Sequence, residues 1–151
     1  MDGATVWDAN WAWSLPLIVI TVIFHVIGLV LLNEQVLRAR RFLHGGRGFL
    51  ATFSVVLGTA TLIAILLHAL EAGMWAGLYV LLGALPDGRS ALLFSLSAIT
   101  TYAHEHFDLA ARWRLMGSLE ALDGMILFGL TTAFLYGMIR ELLHDRPGQH
   151  R

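Results

Sequence analysis

An all-α membrane protein is the fold class this sequence predicts, with three transmembrane helices and a short re-entrant helix and loop between the second and third. Of its 151 residues, 57% are hydrophobic and only 14% charged, where a soluble domain carries about 25% charged residues. One uncharged stretch, Trp13 to Leu32, has the roughly 20 residues that cross a bilayer, and two longer apolar stretches carry only isolated ionisable groups. One stretch of 12 apolar residues, Ser90 to Thr101, falls short of a span and is followed at once by ionisable groups. That combination points to a segment that enters the bilayer and returns.

Other classes are excluded by composition. A net charge of -1 gives no reason to expect nucleic-acid binding. Every fixed positive charge is Arg, since the chain has no Lys, and the absence of Cys excludes disulfides and thiolate metal sites. Any metal site must therefore use His, Asp and Glu. Residues 1–10 carry Asp2 and Asp8 and no basic group. They lack the n-region of a cleavable signal peptide, so the first apolar stretch is expected to stay as a helix.

Trp13 to Leu32 has the length of one span, with Trp7, Trp11 and Trp13 as interfacial anchors at its start. Residues 33–47 hold Arg38, Arg40, Arg41 and Arg47, with a break at Gly45-Gly46. The outer helix of the second part runs over 48–85. Its 38 residues would measure about 57 Å against a hydrocarbon core of about 30 Å, so it protrudes, with residues 54 to 83 in or near the bilayer. Pro86-Asp87-Gly88 is a turn. The short helix covers 90–101, a polar loop 102–107, and the last span 115–140, followed by a polar tail. This divides the chain into 1–47 and 48–151. Four Arg in 33–47 and Arg140, Arg146 and Arg151 at the end place the N-terminus outside and the C-terminus in the cytoplasm by the positive-inside rule.

The order of span, turn, short helix, Thr100-Thr101, polar run and second span resembles the tetrameric potassium channels. Ala91-Leu92-Leu93-Phe94-Ser95-Leu96 looks like their pore helix. Gly124-Met125-Ile126-Leu127-Phe128-Gly129-Leu130-Thr131-Thr132-Ala133 looks like their inner helix, with Gly124 and Gly129 as hinge positions. Trp113 to Leu122 is similar to small bacterial members with an extra N-terminal span. The likeness covers roughly residues 62 to 140. It implies a homotetramer in a bacterial inner membrane, a potassium-channel-like pore domain, inorganic cations as partners, and a cavity lined by Met125, Phe128, Thr132 and Tyr136.

At the filter the sequence departs from that pattern. The family reads Thr-Val-Gly-Tyr-Gly-Asp, and here the positions are Thr101-Tyr102-Ala103-His104-Glu105-His106. Ala103 and Glu105 replace the glycines that let successive carbonyls face the axis. Potassium selectivity by that mechanism is not expected. In a four-fold assembly, rings of His104, Glu105 and His106 would supply the chemistry through side chains, attracting cations or holding a divalent metal ion. A polar loop that merely faces water is the competing reading.

His68 and Glu71 share one helix face three residues apart, near the middle of an apolar stretch. A proton relay, a metal site and a hydrogen-bonded packing pair all fit. Glu120 and Asp123 have the same spacing; Asp123 could bond the re-entrant loop or Arg112, or face the cavity. His25 reads as a hydrogen-bonded packing residue. The function expected is a cation pore with a non-standard filter. The alternative is a non-conducting channel relative that binds metal or protons or regulates a partner. An intramembrane metalloenzyme using His68, Glu71 and the 104–106 run lacks a recognisable substrate pocket, so no catalytic residue is expected.

Overall fold

The computed structural model describes residues 3–43, 48–102 and 109–144, with side chains over 7–38, 48–102 and 109–144. It comprises α1 (Gly3–Leu43), α2 (Phe49–Leu81), α3 (Gly88–Ile99), a 3-10 turn (Ala111–Trp113) and α4 (Arg114–His144). Among the described residues there is no strand. Three segments, Trp7–Arg38, Phe49–Leu81 and Ala111–His144, are long and apolar enough to cross a membrane. The chain fits an integral membrane protein.

The element boundaries differ from the sequence expectation, for local reasons. The tryptophans at positions 7, 11 and 13 lie inside α1 rather than ahead of it. The second long helix stops at Leu81 rather than Leu85, because Gly83 takes φ +60°. There Gly83 N–H donates to the Val80 carbonyl (3.1 Å) and Ala84 N–H to the Tyr79 carbonyl (2.8 Å), which closes the helix in a Schellman motif. The short helix begins at Gly88 because Asp87 caps it, accepting from the Ser90 N–H (3.0 Å) and hydroxyl (2.8 Å). These bonds to Ser90 hold the exposed Asp87 carboxyl below its ordinary pKa. Residues 141–144, read as tail, continue α4; the first helix breaker in the sequence after them is Pro147.

The C-terminus of α3 repeats the closure of α2 with one change. Tyr102 N–H donates to the Ser97 carbonyl (2.8 Å) and Thr101 N–H to the Ala98 carbonyl (3.0 Å). The left-handed position, filled by Gly83 in α2, is here Thr101 at φ +56°. A β-branched residue is disfavoured there by roughly 1–2 kcal/mol. Thr101→Gly is therefore expected to raise stability by about 1 kcal/mol, read as an upward shift of the thermal midpoint in detergent. A downward shift would mean that Thr101 makes a compensating contact.

Large apolar residues face outward: Val19, Ile23, Ile27 and Val30 on α1 and Leu62, Ile65 and Leu66 on α2 are all exposed. Buried positions include Asn10, Ser14, Thr21, His25, Glu71, Ser95, Glu120 and Asp123. This inversion is stable when the surroundings are hydrocarbon. The buried stripe of α2 carries Ala60, Ala64, Ala72 and Ala76, and such small residues let helices approach closely in a bilayer. At one end Leu32, Val36, Val56, Met138 and Leu142 pack together. At the other, Trp75, Tyr79, Leu85, Leu109, Trp113 and Met116 do so, and the Asn10 side chain donates to the Arg112 carbonyl (2.8 Å). The start of α1, the end of α2 and the start of α4 thus share one end of the bundle.

From that end α3 doubles back between α2 and α4. Ser95 donates to the Ala72 carbonyl (2.7 Å), and Ile99 packs with Ala72 and Leu127. Ala72 is nine residues, about 14 Å of helix, inside the end of α2. The chain is back at that end by Ala110, whose N–H donates to the Ala84 carbonyl (3.3 Å). Gly124 makes the depth of α3 attainable: a Cβ there would lie 2.1 Å from the Ile99 carbonyl oxygen.

Candidate functional site

The polar side chains of the bundle interior occupy three levels on α2. Glu71, Trp75 and Tyr79 are four residues apart, so each level is about 6 Å from the next. The innermost joins three helices. His25 Nδ1 lies 2.7 Å from Glu71 Oε1 and its Nε2 lies 2.9 Å from the Thr131 hydroxyl. His68 Nε2 lies 3.1 Å from the same hydroxyl, and its Nδ1 lies 3.2 Å from Glu71 Oε2. The His25 and Glu71 side chains are fully buried and that of His68 is 11% exposed. One ligand atom from each of the three lies within 4.8 Å of the others, so the donor set could hold a metal ion.

At the middle level Asp123 Oδ2 accepts from the Thr21 hydroxyl (2.8 Å) and the Trp75 indole N–H (2.9 Å). Arg112, weighed as its partner from sequence, instead donates to the Leu82 carbonyl (3.4 Å). Asp123 therefore ties α1, α2 and α4 rather than the loop. At the third level Tyr79 donates to Glu120 Oε2 (2.6 Å), and Ser95 contacts Glu120 Oε1. Ser95 has one proton for two oxygens, the Ala72 carbonyl and Glu120 Oε1, and the carbonyl can only accept. That contact is fully satisfied when Glu120 is a carboxylic acid donating to Ser95, the state that the Glu120→Gln variant tests.

Of the filter-like residues, Thr100, Thr101 and Tyr102 are exposed at the tip of α3; Ala103, His104, Glu105 and His106 lie outside the described residues. Met125, Phe128, Thr132 and Tyr136 share an exposed face of α4. Phe128 also stacks on His68 at 4.3 Å between ring centroids. The two glycines read as hinges differ: Gly124 is buried against Ile99, whereas Gly129 has open space where a Cβ would be.

Thr21, Trp75, Tyr79, Ser95 and Thr131 did not stand out in the sequence. For the α2 pair a signal existed, since Trp75 and Tyr79 extend the His68 and Glu71 face at helical spacing. The hydroxyl residues carried none, being ordinary in membrane helices. No family model, curated protein or solved structure matches this chain.

Proposed function

We propose that copies of this chain assemble around a water-filled path for cations, with α3 as a re-entrant half-helix. One observation carries this reading. The backbone leaves the helix at Thr100–Tyr102, just past Ile99, which packs against Ala72 well inside the end of α2, and these residues are exposed on the single chain. Non-helical backbone at membrane depth is tolerated only against protein or water, never against lipid. A single chain is thus incomplete in a bilayer, and neighbouring copies enclosing water complete it.

The chemistry at that point suits a cation. The C-terminal end of α3 carries partial negative charge, and Thr100 and Thr101 add hydroxyl oxygens. The strained Thr101, where glycine would be easier, supports a functional demand on its side chain. The exposed α4 face of Met125, Phe128, Thr132 and Tyr136 would line the cavity beyond. The resemblance to potassium channels sets the expected copy number at four, with the Arg-rich end of the bundle in the cytoplasm and the α3 entrance outside. His104, Glu105 and His106 would form the outer rings.

The test is flux through liposomes for potassium, sodium, protons and zinc, comparing wild type with Glu105→Gln. Cation flux that falls several-fold in the variant supports the reading. Unchanged flux removes Glu105 from the path, and no flux from wild type under any of these conditions overturns the pore.

A further inference from the structure

We propose that His25, His68 and Glu71 bind a first-row divalent cation of the zinc class inside each chain, apart from the 100–106 segment. The argument is a count of protons. An ionised Glu71 can only accept, so His25 carries its proton on Nδ1, toward Oε1. His25 Nε2 is then a lone pair and takes the Thr131 hydroxyl proton. The Thr131 oxygen in turn takes the Nε2–H of His68. His68 Nδ1 is left as a lone pair, and it faces Glu71 Oε2 across 3.2 Å. Neither of these two buried atoms has a hydrogen-bond partner.

Two acceptors aimed at each other in a buried place are repulsive until a cation lies between them. With metal–ligand bonds of about 2.0–2.2 Å, adjacent ligands in a coordination shell are separated by about 3.0–3.5 Å, and the observed spacing falls in that range. His25 becomes the third ligand when its proton moves from Nδ1 to Nε2. The Thr131 oxygen has two lone pairs and can accept from both rings at once, holding them as an outer shell holds metal-bound imidazoles. Two imidazoles and one carboxylate are a known zinc set that leaves a fourth position open. Access is past His68, the partly exposed member, beneath the Phe128 ring.

The measurement uses the full chain, chelator-washed in detergent, titrated with Co²⁺ and then Zn²⁺. To separate this site from the His104, Glu105 and His106 run, the parent is the triple variant His104→Gln, Glu105→Gln, His106→Gln. Expected are visible cobalt d–d bands saturating at one ion per chain, their displacement by Zn²⁺, and a thermal midpoint several degrees higher with metal. X-ray absorption of the zinc form should show two imidazole ligands. His68→Gln and Glu71→Gln should each abolish the bands. If those variants do not fold, the parent's spectrum and ligand count decide alone. Folded parent protein with no bands and no thermal shift at millimolar Co²⁺ overturns the proposal, as does binding that survives in folded His68→Gln. Stabilisation by acid alone, with no metal effect, would make the occupant a proton and overturn it too.

Discussion

Gly124→Ala is expected to cost about 3 kcal/mol, the upper end of what one added methyl does in a packed interior. The reason lies in what the methyl would meet. Its carbon would lie 2.1 Å from the Ile99 carbonyl oxygen, 2.8 Å from the carbonyl carbon and 2.9 Å from Cα. All three are backbone atoms, so no side-chain rotation relieves the contact. Either α4 bends away or the tip of α3 withdraws from the level of Ala72 and Leu127. The matched control is Gly129→Ala, one and a half turns further on, where a Cβ meets nothing. Removing an exposed helical glycine should leave stability unchanged or raise it by up to about 1 kcal/mol. Thermal unfolding of both variants in the same detergent tests this. Equal losses would show that Gly124 acts as a generic helix glycine and that the close seat of α3 is not what it provides. In the proposed pore, Gly124→Ala should also reduce flux, because the exposed tip at Thr100–Tyr102 would lose its depth.

Much of the frame was legible because hydrocarbon imposes a simple demand: every span must be long, apolar and helical. Trp13 to Leu32, 48–85 and 115–140 meet that demand, and the 12-residue segment is too short to. Their ends were less legible, since caps decide them. Leu81 ends α2 because Gly83 can adopt positive φ, and Thr101 does the same work in α3 with a residue type that gives no such signal. The ionisable half of the interior could be read, because His68, Glu71, Glu120 and Asp123 are rare at membrane depth. Their partners could not. His25 meets Glu71 across 46 positions and Thr131 across 106, and no local spacing encodes a contact between helices. That is why the sequence leaves the re-entrant loop, Arg112 and the cavity all open for Asp123, when Thr21 and Trp75 hold it.

Glu120→Ala is the second large loss expected, about 3–4 kcal/mol, and Glu120→Gln should cost less than about 1 kcal/mol. The alanine variant leaves a buried gap where α2, α3 and α4 meet and strips the Tyr79 hydroxyl of its acceptor. Ser95 keeps its bond to the Ala72 carbonyl but loses the group on its other side. The glutamine variant follows from the proton count. If Glu120 is a carboxylic acid, one of its oxygens donates to Ser95 and the other accepts from Tyr79. A glutamine amide offers the same pair, an N–H donor and a carbonyl acceptor, in nearly the same shape. A carboxylate would behave differently, because its replacement by an amide would turn an acceptor into a donor against the Ser95 proton. Unfolding of the two variants against wild type separates the cases. A loss in Glu120→Gln as large as that in Glu120→Ala would mean that the residue is ionised and that Ser95 donates to it rather than to the Ala72 carbonyl. A near-neutral Glu120→Gln would establish an uncharged hinge point behind α3, so that the negative end of that helix, and not Glu120, sets the field at its tip.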